Sequence, residues 1–105
     1  MHAEIADRKE EIITICRHYR VTRLEVFGSA ARGTDFDPET SDADFLVEFG
    51  PPYRDGRFKQ YMGLVQDLSD TLGRKVDLLC IDYIRNKRLQ KVINESREVV
   101  YDQTT

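Results

Sequence analysis

The sequence predicts an α/β domain in which a small mixed β-sheet is flanked by helices. Apolar residues recur at helical spacing in some segments and alternate with polar residues in others, so both element types are expected. The predicted order, α-β-β-α-β-α-β, favours one sheet with helices packed against it. With 105 residues, we expect a single domain over residues 1–105.

The charge balance and the distribution of apolar residues exclude several classes of protein. Sixteen Lys and Arg against 19 Asp and Glu leave a net charge of -3, which argues against coating nucleic acid by charge alone. No apolar run approaches the roughly 18 residues of a membrane span, and the charged N-terminus has no signal-peptide pattern. We therefore expect a cytoplasmic protein without a membrane partner, in which Cys16 and Cys80 are buried thiols.

The first half of the chain shows both periodicities. Ile12 and Cys16 lie at helical spacing, whereas Leu24 and Val26 alternate with charged neighbours. The predicted elements are a helix over Ala3–Tyr19, a strand over Val21–Phe27, a small-residue turn over 28–33, a polar loop over Thr34–Ser41 and a strand over Asp42–Phe49.

The second half begins with a loop over Gly50–Gly56 and has the strongest helix signal. An apolar stripe predicts a core-facing helix that ends at Gly73, and it consists of Phe58, Tyr61, Met62, Val65, Leu68 and Leu72. The remaining predicted elements are a strand over Val76–Ile81, a last helix and a short strand over Glu98–Tyr101. The last helix is predicted to be capped by Asp82 and to reach about Asn94, with Leu89, Val92 and Ile93 facing inward.

Three carboxylates in the predicted strands are candidate metal ligands. Asp42 and Asp44 are separated by one residue of a strand, so both side chains point to the same face. Two aligned carboxylates repel each other unless a cation lies between them, and oxygen ligands suit Mg²⁺. Asp77 joins them if the second and third strands are neighbours; a position at a sheet edge or in an ion pair is the alternative.

The turn after the first strand is a candidate phosphate site. Gly28 and Ser29 open a turn in which we expect free backbone N–H groups, and Arg32 adds a cation suited to phosphate oxygens. A plain tight turn is the alternative.

Taken together, these motifs resemble the minimal, MNT-type branch of the nucleotidyltransferase superfamily related to DNA polymerase β. The resemblance rests on the run Phe27–Gly33, the run Ser41–Val47 and the later Asp77, and it extends to Tyr101. It implies the polymerase β-like fold and two Mg²⁺ ions. Asp42 and Asp44 would bridge both ions, and Asp77 would complete the site of one. Gly28 and Ser29, with help from Arg32, would hold the phosphates of ATP.

The resemblance also implies an acceptor on another molecule. The chain is too short for an added acceptor-binding domain, so the expected partner is a HEPN-type ribonuclease toxin, with this chain as its antitoxin in a hetero-oligomer. Family members transfer AMP from ATP to a tyrosine hydroxyl of that partner and release pyrophosphate. Two alternatives stay open: a non-catalytic antitoxin that acts by occlusion, or transfer to a nucleic-acid or small-molecule acceptor. A basic patch on the last predicted helix would favour a nucleic-acid acceptor, but such a patch is typical of a solvated helix face, so we do not expect nucleic acid as a direct partner.

Overall fold

A four-stranded mixed sheet with helices on both faces organises the chain. The computed structural model describes residues 3–28, 43–50, 56–80 and 86–103. Its elements are, in order, α1 (Ala3–Asp7), α2 (Lys9–His18), β1 (Val21–Phe27), β2 (Ala43–Phe49), α3 (Arg57–Leu72), β3 (Val76–Cys80), α4 (Lys87–Ser96) and β4 (Glu98–Asp102). The strand order is β3-β2-β1-β4. Strand β1 is antiparallel to β2 and β4, whereas β2 and β3 are parallel, which confirms the predicted mixed sheet.

The two faces of the sheet bury different amounts of apolar surface. The larger core lies against α1, α2 and α3, and its most buried members are Ile5, Ile12, Cys16, Leu24, Val26, Phe45, Val47, Leu64 and Leu68. The smaller core lies under α4 and consists of Phe27, Leu46 and Ile93, with Leu79 and Leu89 packed against it. Among the described residues, α4 is the one helix on the second face, which is therefore less covered than the first.

The first predicted helix is divided in two. The N–H of Arg8 donates to the carbonyl of Ile5 at 3.1 Å, three residues back, and this tightened turn separates α1 from α2. Ile5 and Ile12 are both buried in the larger core. Burial also raises the pKa of the Cys16 thiol from 9.0 to about 12, while Cys80 is half-buried.

Helix α3 ends where its sequence predicts, but two residues of its apolar stripe are not in the core. Gly73 has a left-handed backbone with φ +67° and donates its N–H to the carbonyl of Ser69 at 2.8 Å. Phe58 is 75% exposed and Met62 47% exposed, so their predicted burial was wrong. Phe58 lies in the first turn of α3, one turn before Tyr61, where the helix begins to contact the core.

The last helix begins later than predicted. Asn86, not Asp82, is its N-cap, because the Asn86 side chain accepts hydrogen bonds from the backbone N–H groups of Arg88 and Leu89 at 2.9 and 3.2 Å. Helix α4 then continues to Ser96, whereas Asp82 lies outside the described residues. None of the helices in the described ranges is long and apolar enough to cross a membrane.

Candidate active site

Two of the three predicted carboxylates are brought side by side by the sheet. In the parallel pair β2–β3, Asp44 lies directly opposite Asp77, and on the other side of β2 it lies opposite Phe27. Because β1 runs antiparallel to β2, the end of β1 meets the beginnings of β2 and β3. Adjacent strands are about 4.8 Å apart, so this register places Asp44 and Asp77 on neighbouring strands at the same end of the sheet.

Both carboxylates lie on the less covered face. Their neighbours Phe45 and Leu78 are buried in the larger core on the opposite face. Asp44 is half-buried and Asp77, on the edge strand β3, is exposed. The predicted alternation is therefore confirmed for Asp44. Asp42 lies outside the described residues, so its place beside Asp44 stays a prediction.

Gly28, the residue after β1, lies against the carboxylate of Asp44. Its backbone has φ +69°, and a Cβ atom added there would lie 3.0 Å from the Oδ2 atom of Asp44. The N–H of Gly28 donates to the Oγ of Ser96 at 2.9 Å. The expectation of a free N–H at this residue was therefore wrong, because a side chain distant in sequence binds it. Ser29 and Arg32 lie outside the described residues.

A depression of about 600 Å³ adjoins the carboxylates at the edge of β3. Its volume is within the range of about 300–1,000 Å³ that is typical of ligand sites. Residues from α3, α4 and three strands line it: Phe27, Asp44, Tyr61, Met62, Val65, Val76, Asp77, Leu78, Leu79 and Leu89. The site is thus a largely apolar cleft whose lining includes two carboxylates.

Tyr61 is the polar side chain that α3 contributes to this cleft. Its hydroxyl donates to the carbonyl oxygen of Leu78 at 2.5 Å, next to Asp77 in the chain. Burial raises the pKa of Tyr61, and electrostatic interactions with Cys80 and Asp77 raise it further. Tyr61 is therefore a neutral hydrogen-bond donor on the edge strand at physiological pH.

Comparison with known proteins identifies the family to which the chain belongs. A family model described as a nucleotidyltransferase domain matches residues 9–100, a span that contains Gly28, Asp44 and Asp77. The chain belongs to the nucleotidyltransferase family. A "putative protein adenylyltransferase" of Methanocaldococcus jannaschii is 36% identical over 99 residues, which cover 91% of this chain and 98% of that protein. The predicted activity class, nucleotidyl transfer, is thereby confirmed.

Solved structures agree on the fold. A structure described as a "putative minimal nucleotidyltransferase" is 28% identical, with a TM-score of 0.72, and the match covers 93% of this chain and 95% of that one. One chain of a structure described as a tri-AMPylated Shewanella oneidensis HEPN toxin in complex with an MNT antitoxin matches with a TM-score of 0.63 and 17% identity, over 95% of this chain and 74% of that one. The predicted polymerase β-like nucleotidyltransferase fold is confirmed.

The donor set of this nucleotidyltransferase fits a hard divalent cation. Asp44 and Asp77 offer carboxylate oxygens from adjacent strands, and Mg²⁺ commonly takes one or two carboxylates together with substrate phosphates and water. In residues 3–28, 43–50, 56–80 and 86–103 no cluster of three or more potential metal-ligating side chains occurs. The third predicted ligand, Asp42, lies outside these ranges.

A buried carboxylate in β1, Glu25, anchors the end of α4 to the sheet. Glu25 in β1 is 2% exposed and accepts hydrogen bonds from Arg97 Nε at 3.2 Å, from Arg97 Nη2 and from Arg23 Nη2 at 3.3 Å. Arg97 directly follows α4, so this ion pair fastens the end of that helix to β1. Two cations thereby compensate the buried charge of Glu25.

The sequence pattern missed three residues near the site. Ser96 and Arg97 lie beyond the predicted end of the last helix, and nothing in their local sequence indicates a contact with β1. Tyr61 was assigned to an apolar stripe, although a tyrosine at the border of a core commonly binds a backbone carbonyl through its hydroxyl. That preference is the one signal that could have drawn attention to Tyr61.

Proposed function

We propose that this nucleotidyltransferase is an antitoxin that transfers AMP from ATP to a tyrosine hydroxyl of a HEPN ribonuclease toxin. The observation that carries the proposal is the register that sets Asp44 opposite Asp77 on parallel strands, where both line a largely apolar cleft. Carboxylates in this position can hold the cations that a triphosphate requires and can accept a proton from an incoming hydroxyl.

The chain's own residues have separate roles in the proposed reaction. Asp42, Asp44 and Asp77 would hold two Mg²⁺ ions. When bound, such ions neutralise charge on the attacking and leaving oxygens. Asp77 is exposed on the edge strand, where an acceptor can approach, and it would take the hydroxyl proton. A bond forms between the acceptor oxygen and the α-phosphorus, the bond from the α-phosphorus to the bridging oxygen breaks, and pyrophosphate leaves.

The phosphate-binding turn would act from the other side of Asp44. Gly28 brings the backbone against the Asp44 carboxylate, so the turn predicted after it would begin next to a candidate cation ligand. Ser29 and Arg32 are the candidates for contact with the phosphates of ATP, because a hydroxyl and a guanidinium donate hydrogen bonds to phosphate oxygens. The N–H of Gly28 is bound to Ser96, so Gly28 contributes through its shape.

The acceptor class is supported by the relatives. The M. jannaschii relative is named for adenylyl transfer to protein, and the S. oneidensis complex pairs an MNT antitoxin with an AMPylated HEPN toxin. The cleft itself suits a protein side chain, because its lining is largely apolar around the two carboxylates. An aromatic acceptor such as tyrosine can pack its ring there while its hydroxyl reaches Asp77.

The test combines the chain with a HEPN protein, ATP and Mg²⁺, and measures the intact mass of the HEPN protein. We expect added AMP with the wild type. Asp44→Asn and Asp77→Asn should each lower the rate by about 100-fold or more, because each removes a charged oxygen ligand. Asp70→Asn is the matched control, since Asp70 is exposed on α3 and bonds only Gln66 among the contacts described for it.

The outcomes separate catalysis from occlusion. No added AMP with the wild type, under conditions where the two proteins form a complex, would contradict the proposal. If Asp44→Asn and Asp77→Asn abolish transfer but still suppress the ribonuclease fully, occlusion rather than AMP transfer is the basis of neutralisation. Loss of activity in Asp70→Asn as well would show that the substitutions act through folding.

A further inference from the structure

We propose that Ser96 is a positioning residue that fixes the backbone at Gly28 and thereby supports nucleotide binding. The inference rests on the proposed nucleotidyl transfer and adds a residue that none of the sequence motifs contains. Ser96 is the last residue of α4, 68 positions from Gly28, and its Oγ accepts the Gly28 N–H at 2.9 Å. The contact joins the end of the last helix to the end of the first strand.

The backbone at Gly28 needs a hydrogen-bond partner because of its conformation. With φ +69° the backbone leaves the strand and lies against Asp44, where a Cβ atom would be only 3.0 Å from the carboxylate oxygen Oδ2. A glycine in this region is intrinsically flexible, so its conformation depends on what binds its polar groups. The hydrogen bond from Gly28 to Ser96 supplies that restraint at the residue that precedes the candidate phosphate ligands.

Ser96 can act as a fixed point because α4 is itself anchored at this end. Arg97 donates to the buried Glu25 of β1, and its backbone N–H donates to the carbonyl of Ile93 at 2.8 Å. Ile93 is 2% exposed and packs with Phe27, the residue before Gly28. An ion pair and an apolar contact therefore hold the Ser96 backbone in place on either side of the hydroxyl.

The loss of this hydroxyl should be seen mainly in nucleotide binding. The phosphates of ATP are bound both before and during the reaction, so a misplaced turn weakens ground state and transition state alike. Such a change raises KM for ATP while kcat stays nearly constant. The removal of one neutral hydrogen bond corresponds to a rise of about 2- to 10-fold.

The experiment compares Ser96→Ala, Ser96→Thr and the control Ser69→Ala, which makes the same change in α3 at a residue that is not among those lining the cleft. We expect Ser96→Ala to raise KM for ATP, and the Kd of a non-hydrolysable ATP analogue with Mg²⁺, by about 2- to 10-fold. Ser96→Thr keeps the hydroxyl and should restore values near the wild type. Ser69→Ala should leave both constants unchanged.

Amide hydrogen exchange at Gly28, followed by NMR, tests the positioning role without any reaction. We expect faster exchange at Gly28 in Ser96→Ala than in the wild type, in Ser96→Thr and in Ser69→Ala. Unchanged exchange at Gly28, or an unchanged Kd for the analogue in folded Ser96→Ala, would overturn the inference. Failure of the wild type to transfer AMP would instead refute the proposed function, so the two failures are distinguishable.

Discussion

Substitution of Gly28 by alanine should have two effects, a loss of stability from backbone strain and a loss of AMP transfer from displacement of Asp44. Gly28 has φ +69°, where a residue with a Cβ atom is disfavoured by about 1–2 kcal/mol. For a domain of this size, that cost corresponds to a fall in Tm of roughly 4–15 °C. The added Cβ would also lie 3.0 Å from Asp44 Oδ2, closer than most carbon–oxygen contacts, so the carboxylate or the turn must shift by a few tenths of an ångström.

Gly73→Ala is a control with nearly the same backbone. Gly73 has φ +67°, its N–H is also hydrogen-bonded, and a Cβ atom there meets nothing within 4 Å. Both variants should therefore lose about 1–2 kcal/mol of unfolding free energy in urea. Only Gly28→Ala should also lose AMP transfer, by about 10-fold or more, because catalytic ligands tolerate little displacement.

The comparison can fail in two ways that have different meanings. If Gly28→Ala transfers AMP as fast as Gly73→Ala, per folded molecule, the contact between Gly28 and Asp44 does not matter for the site. If Gly73→Ala is as stable as the wild type, the strain assigned to a positive φ is wrong for both residues. Unfolding curves and transfer rates measured on the same samples distinguish these results.

Two further predictions concern stability. Burial raises the pKa of Cys16 from 9.0 to about 12, so the unfolded thiol ionises while the folded one stays protonated. The free energy of unfolding should not depend on Cys16 below about pH 9, and it should fall by about 1.4 kcal/mol per pH unit between about pH 9 and 12. Urea unfolding at several pH values should show a shallower fall for Cys16→Ala. The Asn86 side chain caps α4, so Asn86→Ala should cost about 1 kcal/mol in the same measurement, whereas Asn86→Asp, which keeps the acceptor, should cost little. Equal effects of the two Asn86 substitutions would contradict the capping assignment.

Local patterns predicted much of the framework because they depend on short-range geometry. Strand β1 has the bounds expected from its alternation, and Gly73 ends α3 in the left-handed conformation expected of a C-cap. Strand alternation also predicted that the side chains of Asp44 and Phe45 point to different faces of the sheet, and the structure confirms this prediction. These features follow from the backbone period of two or 3.6 residues and from the freedom of glycine, which a sequence displays directly.

The same patterns mislead where burial depends on what lies opposite. The stripe on α3 is apolar along its whole length, yet Phe58 is 75% exposed, and the contacts of the helix with the core begin one turn later, at Tyr61. Glu25 shows the converse, since its charge suggests an exposed strand position and Arg97 allows it to be buried. Periodicity specifies a face of an element and carries no information about the surface that covers it.

The sequence by itself therefore determined the residue types of the candidate site and the strand faces on which Asp44 and Asp77 lie. Tertiary structure alone decided that β3 pairs with β2 in the register that sets Asp77 opposite Asp44. It also decided that Ser96 binds Gly28 across 68 positions of chain. The physical reason is that strand order and long-range hydrogen bonds depend on how the whole core packs, whereas residue type and periodicity are local.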